Sequence, residues 1–164
     1  EHGVRPGTTN TPGIVGLAKA MEMLPDTKKL EVMRSRRDHF EAMLLSAIPD
    51  AFINGGDVER LPNTTSVVIP GCESEMMLAN MPLLCVSNGS ACNSGVMEGS
   101  FVLRQMGLDG GDASSTLRIS QSTLTSDREL QAAADIYYYY ASACHALLHC
   151  VSHTAGSAPD RVRK

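Results

Sequence analysis

Tryptophan is absent from this 164-residue sequence, and aromatic residues make up only 4% of it. Proteins that bind single-stranded nucleic acid stack bases on aromatic side chains, and phosphate backbones attract an excess of positive charge. This sequence has a formal net charge of −4 at pH 7 and no apolar run approaching the roughly 18 residues that a membrane-spanning helix needs. We therefore expect no direct contact with nucleic acid and none with a membrane.

A disulfide framework is also missing. The cysteines are odd in number and irregularly spaced, at Cys72, Cys85, Cys92, Cys144 and Cys150. This pattern favours the cytoplasm or an equivalent reducing compartment. A hydrophobic content of 43% with 20% charged residues is typical of a globular domain that has a core of its own.

Hydrophobic periodicity predicts helices interspersed with short strands. The helices are predicted at residues 11–24, 26–48, 73–81, 100–106 and 125–148, and the strands at residues 51–53, 64–69, 83–86 and 115–120. The stretch 109–114, rich in Gly and Asp, is predicted to be a loop. The charges of the second helix, from Lys28 to Glu41, are expected on a solvated face.

One cysteine lies in a stretch of small and turn-forming residues. Cys92 is the exception among residues 87–95, which are otherwise Ser, Asn, Gly and Ala. Such a loop exposes its central residue and allows it to move, and exposure is one requirement for a reactive thiol. Cysteines in such turns are also often inert, so the local residues leave both interpretations open. Cys85, in the preceding apolar run, is expected to be a packing residue.

Two further positions are candidates for binding anions. Arg118 lies between Leu117 and Ile119 in a predicted strand, where a guanidinium group needs an anionic partner. A structural carboxylate and a substrate carboxylate would both serve. Near the start of the sequence, Gly7 permits a tight turn and Thr8 offers a hydroxyl for a phosphate, although a plain polar loop would also explain them.

The end of the last predicted helix carries a possible metal-binding cluster. His145 and His149 are four residues apart and would share a helix face, with Cys144 and Cys150 nearby. The two cysteines do not lie squarely on that face, and no neighbouring carboxylate would orient the imidazoles. Ordinary surface histidines at a helix end are the alternative.

Three separated phrases resemble the cysteine desulfurases, the NifS/IscS-like enzymes of the class-V aminotransferase family. Residues 5–12 resemble their Arg-x-Gly-Thr-x-Asn phrase. Residues 87–95, followed by 98–103, are similar to the catalytic-cysteine loop and the helix after it. Residues 117–120, before 125–130, are similar to the substrate-anchoring strand and the final helix.

This resemblance implies the C-terminal portion of an enzyme of fold type I that uses pyridoxal 5'-phosphate (PLP). The expected fold class is α/β, here an α+β small domain whose helices pack on a three- to four-stranded sheet. Residues 1–24 would be an interface loop and helix at the edge of the large domain. Residues 25–150 would form the small domain, with the cysteine loop at 87–98, and residues 151–164 would be a flexible tail.

The resemblance also implies a chemistry. These enzymes convert L-cysteine to L-alanine and retain the sulfur as a persulfide, while PLP supplies the electron sink. Cys92 would receive the sulfur, Arg118 would bind the substrate carboxylate, and Thr8 would bind the PLP phosphate across a homodimer interface. A sulfur-acceptor protein would dock near the Cys92 loop.

The family's Schiff-base lysine has no counterpart in this sequence, whose lysines are Lys19, Lys28, Lys29 and Lys164. The first residue is Glu1, so we expect a piece of a longer enzyme that is inactive alone. The alternatives are a stand-alone persulfide carrier that uses Cys92, and a metal-binding structural module. Selenocysteine lyase is a neighbouring activity, and iron–sulfur cluster assembly, tRNA thiolation and DNA thiolation are all possible destinations of the sulfur.

Overall fold

The computed structural model describes residue 3, residues 7–88 and residues 100–155, with side chains described as far as residue 147. These residues form six helices and three strands. The helices are α1 (Thr11–Glu22), α2 (Thr27–Ala47), α3 (Ser74–Asn80), α4 (Phe101–Gln105), α5 (Gly110–Ser114) and α6 (Asp127–Ala155). The strands are β1 (Phe52–Ile53), β2 (Thr64–Val68) and β3 (Thr116–Ser120). The predicted mixed α/β class with a three- to four-stranded sheet is confirmed.

The sheet is antiparallel, in the order β1-β2-β3. Phe52 pairs with Val68 across the first two strands, and Ser66 pairs with Arg118 across the second two. Side chains alternate between the two faces of a strand. In β3, Leu117 is therefore buried while Arg118 beside it is exposed.

The helices α2 and α6 pack together and cover one face of the sheet. Phe40 of α2 and Tyr137 of α6 meet edge to face, with ring centroids 6.5 Å apart. Val67 and Leu117 lie below them in the same apolar cluster, completely buried. Each fully buried side chain of this size contributes about 1.5–3 kcal/mol, so this cluster fixes which face of the sheet is covered.

The predicted strand at residues 83–86 is wrong. Leu84 and Val86 pack partly buried on the apolar cluster, but the Leu84 N–H donates to the Met81 carbonyl oxygen in a turn and not to a neighbouring strand. Only Ser87, just beyond it, pairs with the sheet.

The helix boundaries follow their capping residues. Asp26 caps α2 by accepting a hydrogen bond from the Lys29 backbone N–H. Asn10 caps α1 in the same way, directly before residue 11, where this helix is predicted to begin. The predicted loop at residues 109–114 is wrong, because the Asp109 side chain caps the short helix α5 despite its two glycines.

The helix α6 begins with a reciprocal capping interaction. The Ser126 backbone N–H donates to the Glu129 carboxylate at 2.7 Å, and the Glu129 backbone N–H donates to the Ser126 hydroxyl. The hydrogen bond from the Ser126 backbone lowers the pKa of Glu129. The helix continues to Ala155, beyond its predicted end at residue 148 and into the segment expected to be a tail, and residues 156–164 lie outside the described residues.

The prediction that the charged residues of α2 lie on a solvated face is wrong at two positions. Arg37 and Glu41 are buried, with 6% and 7% of their surfaces exposed. The Glu41 carboxylate accepts two hydrogen bonds from Arg60 and one from the Thr65 hydroxyl. The hydrogen bonds to Glu41 raise the pKa of the Arg60 guanidinium. This network attaches the loop between β1 and β2 to α2, and the pairing could not be read from α2 itself.

Replacing Glu41 with Ala should destabilise the protein by about 3 kcal/mol, because the partly buried Arg60 guanidinium and the buried Thr65 hydroxyl would lose the carboxylate that they share, while Arg37 would keep Asp38. Urea unfolding would measure the loss. Glu31→Ala, at an exposed position of the same helix, is the matched control and should change the free energy of unfolding by less than about 0.5 kcal/mol. Equal small effects of both substitutions would contradict a structural role for the network.

Candidate functional site

The strand β3 presents Arg118 on the open face of the sheet. Leu117 and Ile119 on either side are buried against the core, which forces the Arg118 side chain to the opposite face. Among the described residues, no carboxylate lies within ion-pair distance of its guanidinium group. A planar group with several N–H donors is therefore held on a strand and open to solvent, an arrangement that suits an incoming carboxylate.

The backbone of Arg118 is held from both sides. On one side it pairs with Ser66 of β2. On the other side, the Ser87 N–H donates to the Arg118 carbonyl oxygen at 3.1 Å, and the Arg118 N–H donates to the Ser87 carbonyl oxygen at 2.6 Å. This two-bond bridge fixes the start of the segment that leads to Cys92 beside Arg118.

A row of polar residues crosses the sheet at this level. The Asn54 backbone N–H donates to the Ser66 carbonyl oxygen, and the Asn54 side-chain amide donates to the Ser66 hydroxyl at 3.0 Å. Ser66 lies opposite Arg118, so the two side chains share a face. This row could not be predicted from the residue pattern, because each of its members comes from a different part of the chain.

Cys92 itself lies outside the described residues, which stop at residue 88 and resume at residue 100. The resumed chain leads directly into α4, whose Leu103 is buried. Cys85, expected to be a packing residue, is instead an exposed free cysteine. The buried cysteine of the domain is Cys72.

Thr8 is exposed and precedes the cap of α1. The residue before it, Gly7, has a φ of 100°, a backbone conformation that favours glycine. The helix α1 contributes no buried residue, so nothing in the core ties Thr8 to the sheet edge that carries Arg118. Arg5 and Pro6, which belong to the same sequence phrase, lie outside the described residues.

Two members of the candidate metal cluster contact backbone oxygens instead of each other. The Cys144 thiol lies 3.7 Å from the Gly71 carbonyl oxygen, and His145 Nε2 lies 3.2 Å from the Pro70 carbonyl oxygen. No group of three metal-binding side chains occurs among the residues that the structure describes. The side chains of His149 and Cys150 are not among them.

Comparison with known families identifies the chain. The model of the family "Aminotransferase class-V" matches residues 1–133, which include β3, Arg118 and both ends of the Cys92 segment. The chain belongs to the class-V aminotransferase family.

Curated relatives within this family are cysteine desulfurases. The "Cysteine desulfurase" of Nostoc sp. is 38% identical over 140 residues, which cover 83% of this chain and 35% of the relative. The "Cysteine desulfurase NifS" of Azotobacter vinelandii is 37% identical over 135 residues, covering 79% of this chain and 33% of the relative. The chain thus spans about a third of the length of these class-V relatives.

Solved structures agree with the family assignment. The NifS-like protein from Rickettsia africae superimposes with a TM-score of 0.69 and 30% sequence identity, over 84% of this chain and 36% of that structure. A second structure, named as a NifS-like protein, matches with a TM-score of 0.65 and 26% identity over 90% of this chain and 36% of that structure. The described residues therefore have the fold of one part of a NifS-like class-V aminotransferase.

No helix among the described residues has the length and apolar composition that crossing a membrane would require.

Proposed function

We propose that this chain is the C-terminal part of a cysteine desulfurase, which converts L-cysteine to L-alanine and holds the released sulfur as a persulfide on Cys92. One observation carries the proposal. The Ser87–Arg118 bridge joins the start of the cysteine segment to the strand that presents an open guanidinium group. Cys92 is five positions after Ser87, a length of chain that spans at most about 18 Å.

Arg118 serves as the anchor for the substrate carboxylate. Its fork of N–H donors matches the two oxygens of a carboxylate, and the rigid pairing of its backbone fixes where the fork begins. The absence of a carboxylate partner among the described residues supports a substrate as the missing anion. The Ser66 hydroxyl on the same face keeps the surroundings of Arg118 polar.

Cys92 serves as the sulfur acceptor. Its thiolate attacks the sulfur of the bound cysteine, a sulfur–sulfur bond forms, and the carbon–sulfur bond of the substrate breaks. The net change is one sulfur atom moved from L-cysteine to Cys92, with L-alanine as the second product. A segment of small residues suits a thiol that must then present its persulfide to an acceptor protein docked nearby.

The cofactor of this chemistry is PLP, and this chain offers a candidate binding residue for only one part of the cofactor, its phosphate group. Thr8 offers a hydroxyl to the cofactor's phosphate, next to the turn at Gly7. The described lysines, Lys19, Lys28 and Lys29, are all exposed, whereas lysines that form Schiff bases are desolvated so that the amine is neutral. When bound, PLP supplies the sink for the electrons of the substrate. The Schiff-base lysine must come from outside this chain, which alone should be inactive.

The domain boundary near residue 25 follows from the same reasoning. Ile14, Leu17 and Met21 of α1 are each more than half exposed, so the part of the chain that the structure describes leaves the apolar residues of this helix largely uncovered. We assign residues 1–24 to the edge of the missing large domain. Residues 25–150 form the small domain, and Thr8 completes the site of a second subunit in a homodimer.

The destination of the sulfur is assigned only by class. An iron–sulfur cluster assembly protein is the acceptor that the NifS name of one relative favours, and thiolation of tRNA or DNA would use the same persulfide. Such a persulfide requires the cytoplasm or an equivalent reducing compartment. The free cysteines Cys72, Cys85 and Cys144 are consistent with that location.

Cys92→Ser should lower sulfide release from L-cysteine by about 10³-fold or more, because a hydroxyl cannot hold the sulfur as a persulfide. The measurement uses a chimera in which residues 1–133 replace the matching segment of the Nostoc sp. cysteine desulfurase. Cys85→Ser is the matched control and should leave the rate unchanged, since Cys85 is an exposed cysteine of the same region. Full activity in the Cys92 variant would refute the proposed acceptor.

Arg118→Lys in the same chimera should raise KM for L-cysteine by about 10- to 100-fold, because a single ammonium group replaces a two-pronged donor. Steady-state kinetics would separate KM from kcat. Arg128→Lys, at an exposed position at the start of α6, should leave both constants unchanged. An unchanged KM in the Arg118 variant would show that the substrate carboxylate binds elsewhere.

Removal of residues 1–24 should lower the Tm of the remaining chain by less than about 2 °C, because α1 contributes no buried residue. Thermal unfolding followed by circular dichroism would compare residues 25–164 with the complete chain. Loss of the cooperative transition would mean that α1 belongs to the small domain after all.

A further inference from the structure

The turn after β2 holds a cysteine rigidly at the edge of the core. The Cys72 N–H donates to the Ile69 carbonyl oxygen at 3.0 Å, with Pro70 and Gly71 between them. Gly71 has a φ of 75°, as the third position of a type II turn requires. Cys72 is fully buried and belongs to the main apolar cluster. Its side chain therefore has little freedom to turn away.

The helix α6 brings a second cysteine to the same turn. Cys144 packs on the apolar cluster, and its thiol lies 3.7 Å from the Gly71 carbonyl oxygen. His145, the next residue, contacts the Pro70 carbonyl oxygen at 3.2 Å. Gly71 directly precedes Cys72, and Cys144 packs against the cluster to which Cys72 belongs, so the two thiols meet at the same turn. Two residues far apart in sequence are thus preorganised as neighbours, independently of the proposed desulfurase site.

We propose that Cys72 and Cys144 form an oxidation site, which closes to an internal disulfide when the protein meets a hydroperoxide. The Cys144 sulfur reacts first, because this side chain is half-buried whereas Cys72 is fully buried. A sulfur–oxygen bond forms, the oxygen–oxygen bond of the hydroperoxide breaks, and an alcohol or water leaves. The Cys72 sulfur then attacks Cys144, and water leaves as the disulfide forms. Overall, two thiols lose two hydrogen atoms to one hydroperoxide.

Proximity drives the second step, since both cysteines lie at the Pro70–Gly71 turn and no chain segment must be ordered. Burial raises the pKa of the Cys72 thiol, which is consistent with Cys72 acting second. The disulfide would join α6 covalently to the turn that precedes α3. Oxidation would therefore stabilise the packing of α6 on the sheet.

Peptide mapping of the complete chain after hydrogen peroxide treatment tests this inference. Cleavage after glutamate separates Cys72, in residues 60–73, from Cys85 and Cys92, in residues 76–98. Cys144 and Cys150 share residues 130–164, so a Cys150→Ser background assigns the link. The expected main product is a disulfide between the peptides 60–73 and 130–164, with a higher Tm than the reduced chain.

The Cys85→Ser variant is the matched control and should keep this link, since Cys85 is exposed and outside the pair. The link should be lost in Cys144→Ser and also in Cys72→Ala, so either variant suffices if the other fails to fold. Unlinked 60–73 peptide alongside a Cys144 sulfinic or sulfonic acid would overturn the proposal. A main product that links either peptide to residues 76–98 would also overturn it.

Discussion

Burial of Leu117 and Ile119 in the central apolar cluster is the constraint on which the candidate site depends. A strand of alternating side chains cannot bury these two residues without directing Arg118 to the other face. The packing of α2 and α6 on one side of the sheet therefore determines the chemistry available on the other side. The Arg118 guanidinium group is exposed to solvent, so it does not need a buried carboxylate partner. Its position is set by the backbone pairing of β3 and by the burial of Leu117 and Ile119.

The Ser87–Arg118 bridge attaches the next part of the site, the segment that leads to Cys92, to strand β3. Its two hydrogen bonds add a single residue to the open edge of β3. They fix the start of the cysteine segment beside Arg118. The proposed transfer of sulfur from a substrate at Arg118 to Cys92 requires this proximity.

Most elements could be predicted from the sequence, because periodicity and capping are local. Asp26 and the Ser126–Glu129 pair both mark helix starts as their residue types indicate. The wrong predictions concern segments whose pairing or burial depends on residues that are distant in sequence. Residues 83–86 have the apolar character of a strand, and Leu84 and Val86 do pack on the core, but the backbone of this segment is not paired with the sheet before Ser87. Glu41 has the appearance of a surface charge, and only Arg60 and Thr65, from the following loop and strand, make its burial possible.

The candidate site also has some features that could be predicted from short stretches of sequence and others that could not. The residue types at Cys92, Arg118 and Thr8 could be matched to a family phrase by phrase, since each phrase is short and continuous. The juxtaposition of Ser87 with Arg118, or of Ser66 with Asn54, could not, because it depends on sheet register.

The helix α1 leaves much apolar surface in contact with water, since Ile14, Val15 and Leu17 are all more than half exposed. Contact of apolar surface with water is unfavourable in free energy, and burial against another surface would remove this cost. The described lysines are exposed as well, so a PLP site cannot be completed from these residues. The proposed large domain would account for both observations, because it would cover α1 and supply the lysine. Because the chain spans 35% of its Nostoc sp. relative, the remainder of such a protein is large enough to do both.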